Sequence, residues 1–125
     1  MRSFTIARRE LRRLQTRATR AKQHEVCGLF FADESHRISL IFVRNISSDP
    51  RRFAMTRTDF FAAKKQGSGT FLGIFHSHPS APAKPSATDL QIRGGGVRYQ
   101  LILDVRGRDV KLWRQRSMVP LSLVP

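Results

Sequence analysis

Two of the four histidines stand two residues apart in His76-Ser77-His78, and Asp89 follows eleven residues after the second. At the end of a strand, alternate side chains share a face, so His76 and His78 would project together while Ser77 points away. Two adjacent imidazoles make a bidentate start for a zinc site. A catalytic zinc typically takes three protein ligands and leaves a fourth position for water. Asp89 is the nearest third ligand. The same residues also have a plain structural reading. Surface histidines occur at this spacing by chance, and Ser86-Ala87-Thr88-Asp89 has the pattern of a capping box, Ser86 at the N-cap and Asp89 three residues on. The two readings are compatible, because a capped first turn would fix where the Asp89 carboxylate points.

These residues need elements to position them. Phe71–His76 is an apolar run that reads as a strand, and Pro79 would end its ladder pairing. Pro79, Pro82 and Pro85 stiffen the spacer that follows. Ser86–Arg93 then reads as a short helix stopped by Gly94–Gly96. Upstream, Ala7, Leu11, Leu14, Ala18 and Ala21 recur at helical spacing over residues 7–22, giving one narrow apolar face with Arg9, Arg13, Arg17 and Arg20 elsewhere. Ser3–Ile6 is a short leading strand. Val26–Ala32 reads as a buried strand, and Arg37–Val43 as its antiparallel partner across Asp33-Glu34-Ser35-His36. Residues 44–55 form a polar loop. Thr58–Gln66 reads as a helix capped by Thr58 and ended by Gly67. Tyr99–Val105 and Val110–Arg114 make a hairpin. The hairpins rule out a purely parallel sheet, so the expected class is mixed α/β (α+β), with helices packed on a central mixed sheet. The 125 residues fit one domain, residues 1–125.

Composition narrows the setting. No apolar run approaches the roughly 20 residues of a membrane span. The basic N-terminal stretch is followed by no apolar segment of the secretory kind. One cysteine, Cys27, allows no intramolecular disulfide and no thiolate-based structural zinc site, which makes the cytoplasm the expected compartment. The net charge is +14, with 23 basic residues against 9 acidic ones. That balance favours an acidic partner, nucleic acid included, although the arginines are spread along the chain. The arginine-rich segment at residues 7–22 lacks the interleaved aromatic residues of a nucleic-acid stacking reader.

Taken as a whole, the spacing resembles the signature of the JAMM (MPN+) zinc metalloproteases, which include the prokaryotic JAB type. That signature is a glutamate, then H-[ST]-H, seven residues, S, two residues, D. Here it reads Glu25, His76-Ser77-His78, Ser86 and Asp89, and Glu25-Val26-Cys27-Gly28-Leu29 resembles the start of that family's first core strand. The resemblance extends over almost the whole chain. It implies a cytidine-deaminase-like core and one Zn²⁺ per chain, held by His76, His78 and Asp89. Zinc would lower the pKa of a bound water from about 15.7 to about 7. Glu25 would act as general base, and the Ser86 hydroxyl would donate to the developing oxyanion. The implied activity is that of a metalloprotease or deubiquitinase-like isopeptidase, with a ubiquitin-like or sulfur-carrier protein as substrate. The long insertion after Asp89 that eukaryotic deubiquitinases use is missing, which favours a small prokaryotic-type enzyme. The same fold could instead serve a nucleic-acid-binding protein or a phage-tail assembly piece. Members of the resembled family that lack catalysis usually lack the metal motif that this chain keeps, which counts against a purely structural role.

Overall fold

The structure, a computed structural model, describes residues 2–125. The elements run β1 (Phe4–Ala7), α1 (Arg8–Arg20), β2 (Cys27–Ala32), β3 (Arg37–Val43), α2 (Arg57–Gln66), β4 (Thr70–His78), a single 3-10 turn (Asp89–Gln91), β5 (Tyr99–Asp104), β6 (Asp109–Arg114), β7 (Ser117–Val119) and β8 (Leu121–Val124). The strands form one mixed sheet in the order β7-β6-β5-β4-β2-β3-β1-β8. β2 lies antiparallel between β3 and β4, whereas β4 and β5 run parallel. Helices cover both faces, so the expected mixed α/β architecture with a central mixed sheet is present.

Register divides the core by side-chain parity. Directly paired residues lie on the same face, so Cys27 with His76, Ile74 with Gln100, and Gln100 with Trp113 mark out one face. That face is filled by Leu29, Phe31 and Ile74 with Ala63 of α2, and by the half-buried Phe53, Phe60, Ile92 and Val97. The opposite face packs Phe30, Leu40, Phe75, Leu101 and Leu103 with Leu11, Leu14 and Ala18 of α1. Burying Leu11 and Leu14 is worth about 1.5–3 kcal/mol each, enough to hold a short arginine-rich helix to the sheet. Of the apolar stripe read from the sequence, Leu11, Leu14 and Ala18 are the packed residues, whereas Ala7 ends β1 and Ala21 caps the helix; Arg9, Arg13, Arg17 and Arg20 are exposed. Gly28 permits a close approach within the site's own strand: a Cβ there would collide with the Phe75 ring and the Ile41 carbonyl.

Three expectations need correcting. The segment Ser86–Arg93 is not a helix but one 3-10 turn: the backbone is already extended at Ile92, and Gly94, Gly95 and Gly96 then turn left-handed with φ of +83°, +64° and +81°. The cap of α2 is Thr56 rather than Thr58. Thr56 is extended, and its Oγ accepts the Asp59 N–H at 3.0 Å, whereas Thr58 already lies in the first turn. Finally, the strand carrying the histidines runs to His78.

The last nine residues also do more than the sequence indicated. β7 pairs with β6 at one edge of the sheet and β8 pairs with β1 at the other, with only Pro120 between them. Residues two apart are separated by no more than about 7 Å. The two edges therefore meet at Pro120, so the sheet curls enough to bring its outermost strands together there. Phe4 N–H donates to Pro120 O at 3.0 Å across this seam.

Candidate metal centre

β4 delivers both histidines on the α2 face, and the segment leading into β2 delivers the glutamate beside them. Glu25 has the parity of Cys27, and Cys27 pairs with His76. Ser77 points to the opposite face and fastens the two strands: its Oγ accepts the Val26 N–H at 2.8 Å, and its own N–H donates to Val26 O at 2.9 Å. Asn45 holds the glutamate from the other side, donating to Glu25 O at 2.8 Å while its Oδ1 accepts from Ser47 and Ala54.

Asp89 arrives by the route the capping pattern implied. Asp89 N–H donates to Ser86 Oγ at 3.1 Å, and Ser86 N–H donates to Asp89 Oδ2 at 2.9 Å. The box closes although no helix follows it. Trp113 Nε1–H donates to Ala83 O at 2.9 Å, which pins the proline spacer above the sheet.

Glu25, His76, His78 and Asp89 are all buried, at 5%, 0%, 4% and 5% exposure, while Ser86 lies at the surface. Glu25, His76 and His78 each offer a ligand atom, and these atoms lie within 4.8 Å of one another. Asp89 is alongside, with Oδ2 3.1 Å from His78 Nε2 and Oδ1 3.6 Å from His76 Nε2. All five residues singled out in the sequence thus converge: four form the buried cluster, and Ser86 forms its rim. The group whose ligand atoms converge is Glu25, His76 and His78, whereas Asp89, the expected third ligand, contacts both histidines from beside it.

The hydrogen bonding shows what this cluster fits. His78 Nδ1 faces Pro82 O at 2.8 Å, and a carbonyl only accepts, so that nitrogen carries the hydrogen. The other nitrogen, Nε2, then turns its lone pair on the Asp89 carboxylate. Likewise Glu25 Oε1 stands 3.3 Å from His76 Nδ1, and neither atom has a hydrogen-bond partner among the described residues. Buried acceptors that face one another call for a positive charge between them, either an extra proton or a metal ion. Two imidazoles with two carboxylates are a donor set suited to zinc.

Electrostatics agree. Burial opposes the charge on Asp89, but the His78 hydrogen bond, the nearby His76 and the Ser86 N–H outweigh it, and the carboxyl falls to about 2. Burial likewise opposes protonation of His78, yet Asp89 and the Pro82 carbonyl raise its pKa. Cys27 is different: burial, then the Glu25 charge, push its thiol up to about 12, so it is an inert core group beside the site.

Several functional contacts escaped the sequence reading. Phe53 stacks on His76 with ring centroids 4.6 Å apart. Gln100 touches both His76 Nε2 and Asp89 O. Beside Asp89 lies a cavity of about 210 Å³ lined in part by Arg93, Arg98 and Arg114. The register Ile74 with Gln100 was the signal that could have found Gln100, but it emerges only once β4 and β5 are paired in parallel.

Comparison with known proteins gives the same picture. The profile of the family described as prokaryotic homologs of the JAB domain matches residues 7–116. A desampylase of Pyrococcus furiosus is 33% identical over 92 residues, covering 71% of this chain and 65% of that protein, so less than two-thirds of its length is spanned. Among solved structures, a protein of Desulfitobacterium hafniense superposes with a TM-score of 0.80 at 24% identity, over 97% of this chain and 92% of that one. A JAB1/MPN domain protein of Archaeoglobus fulgidus superposes at 0.65 and 22% identity, over the full length of both chains. A structure described as JAMM, a metalloprotease-like zinc site in the proteasome and signalosome, also superposes at 0.65 and 22%, over 99% of this chain and all of the other.

Proposed function

Because this chain belongs to the family of prokaryotic homologs of the JAB domain, we propose that it is a zinc-dependent peptidase or isopeptidase whose residues 1–125 act as one domain. Its substrate is the C-terminal (iso)peptide bond of a ubiquitin-like or sulfur-carrier protein, and its compartment is the cytoplasm. The observation that carries this reading is the buried pair Glu25 Oε1 and His76 Nδ1, two acceptors 3.3 Å apart beside His78 and Asp89.

His76, His78 and Asp89 would hold a zinc ion. When bound there, zinc supplies Lewis-acid polarisation of the scissile carbonyl and a water acidic enough to ionise near neutral pH. Glu25 is not a ligand but the general base. Its carboxylate takes the proton of the attacking water and hands it to the leaving amine. Its burial at 5% exposure keeps that proton from bulk solvent. Ser86 Oγ accepts from Asp89 N–H, so its own O–H can donate to the oxyanion, a contact worth roughly 3–4 kcal/mol in comparable sites.

The substrate class rests on the resemblance and on the relative named desampylase. The arginines around the cavity beside Asp89 suit an acidic protein surface. No helix among the described residues is long and apolar enough to cross a membrane.

The test is cleavage of two substrates by the zinc-loaded protein. One is a ubiquitin-like carrier extended by a short linear peptide, and the other carries the same peptide through a lysine side chain. Mass spectrometry should find the carrier released at its C-terminal residue from at least one substrate, and from neither with Glu25→Gln. An intact pair after incubation with the zinc-loaded wild type would overturn the proposal.

A further inference from the structure

Gln100 sits on β5, 24 residues from His76 and 11 from Asp89, and its carboxamide touches both. Its Nε2 is 2.7 Å from the Asp89 backbone carbonyl, and its Oε1 is 3.0 Å from His76 Nε2. We propose that Gln100 is a positioning residue, a clamp that fixes the orientation and tautomer of the His76 ring and ties it to the turn that presents Asp89.

The chain of constraint starts at the backbone. A carbonyl oxygen can only accept, so the Gln100 end facing Asp89 O must be the amide NH₂. Its other end is then the oxygen, which also only accepts. His76 Nε2 must therefore carry the hydrogen, and the lone pair of the ring lies on Nδ1, the atom turned toward Glu25 Oε1. A ligand imidazole whose second nitrogen donates to a carbonyl oxygen is held in place and made more basic. Pro82 O plays this part for His78, at 2.8 Å from Nδ1. Gln100 plays it for His76, with one difference. Because its far end is bonded to Asp89 O, it couples a group on the strand to a group on the turn.

The fold gives Gln100 this reach. It pairs with Ile74 on one side and Trp113 on the other, so its side chain rises from the face that carries both histidines. The turn at Asp89–Gln91 is one turn long and is followed by three left-handed glycines, so it has little intrinsic rigidity. The Gln100 bond, with the Ser86 box, supplies what the missing helix would have provided.

This inference rests on the metal reading for its effect on zinc, but not for its effect on the ring, and the experiment uses that difference. Wild type, Gln100→Ala and Gln100→Glu are compared by zinc competition with a chromophoric chelator, by thermal unfolding after chelation, and by imidazole ¹⁵N spectra of the chelated protein. The expected result is that Gln100→Ala binds zinc about 10–100-fold more weakly. Its His76 also leaves the single Nε2–H form for a mixture of tautomers. Gln100→Glu keeps an acceptor for His76 but loses the donor to Asp89 O, so it keeps the tautomer and recovers part of the affinity. Unfolding of the chelated variants guards against a loss that is merely structural. A Gln100→Ala protein with the wild-type His76 spectrum would overturn the proposal, as would one with the wild-type zinc affinity. Should the wild type bind no zinc, the metal reading falls, and the ring spectra still decide the role of Gln100.

Discussion

Glu25 Oε1 and His76 Nδ1 face each other at 3.3 Å in the buried centre of the site, and no other group among the described residues satisfies either atom. Such an arrangement is costly unless a cation or proton lies between the two. In Glu25→Gln the amide NH₂ can donate to the bare nitrogen. The chelated variant should therefore unfold at the same temperature as the chelated wild type or higher. Its zinc content should remain one per chain, and hydrolysis should drop by about 10²–10⁴-fold, as expected for loss of a general base. Differential scanning fluorimetry, elemental analysis and initial rates check the three parts. Loss of zinc along with activity would instead make Glu25 a ligand.

Ser86 has two separable jobs. Ser86→Ala removes the cap acceptor for Asp89 N–H, which should cost about 1 kcal/mol of stability. It also removes the oxyanion donor, which should lower kcat by about 10²–10³-fold with little change in KM. Urea titration and steady-state kinetics separate these effects. A kinetic loss no larger than the stability loss implies would reduce Ser86 to a cap.

Trp113 should act on the site from a distance. Trp113→Phe keeps the ring but loses the Nε1–H bond to Ala83 O, at a cost of about 1 kcal/mol. The proline spacer at residues 79–85 should then be nicked faster in limited proteolysis. Equal protection in both proteins would show that the spacer holds itself.

Stability of the chelated protein should depend on pH in two steps. The Asp89 carboxyl is depressed to about 2 in the fold, so its contribution is present above the unfolded value near 3.8 and is lost as pH falls toward 2. The pKa of His78 is raised above 6.5, so its contribution is complete below 6.5 and is lost as pH climbs through the folded value. The unfolding temperature should therefore plateau between about pH 4 and 6.5 and fall on either side. Asp89→Asn should flatten the acid limb, and an unchanged acid limb would remove Asp89 as its cause.

The sequence made some of this legible, and the difference is physical. His76 and His78 sharing a face follows from strand alternation, a local rule that held. The Ser86–Asp89 box is equally local and is also present, but the helix it was expected to start stops after one turn, where the backbone extends at Ile92 ahead of three left-handed glycines. Glu25 stands 51 residues before His76 and was visible only through the resemblance. Gln100, Trp113, Asn45 and Phe53 act through pairings set by sheet register and loop packing, which no short window contains. Residues 117–124 escaped for a related reason: their partners, β6 and β1, lie near opposite edges of the sheet.

The most direct test of the central claim is a zinc titration of the chelated protein with carrier cleavage as the readout. The account predicts no cleavage before addition, a linear rise, and a break at one zinc per chain, with no rise in a His76→Ala, His78→Ala double variant. Full cleavage in the presence of chelator, or a rise unaffected by loss of both histidines, would contradict it.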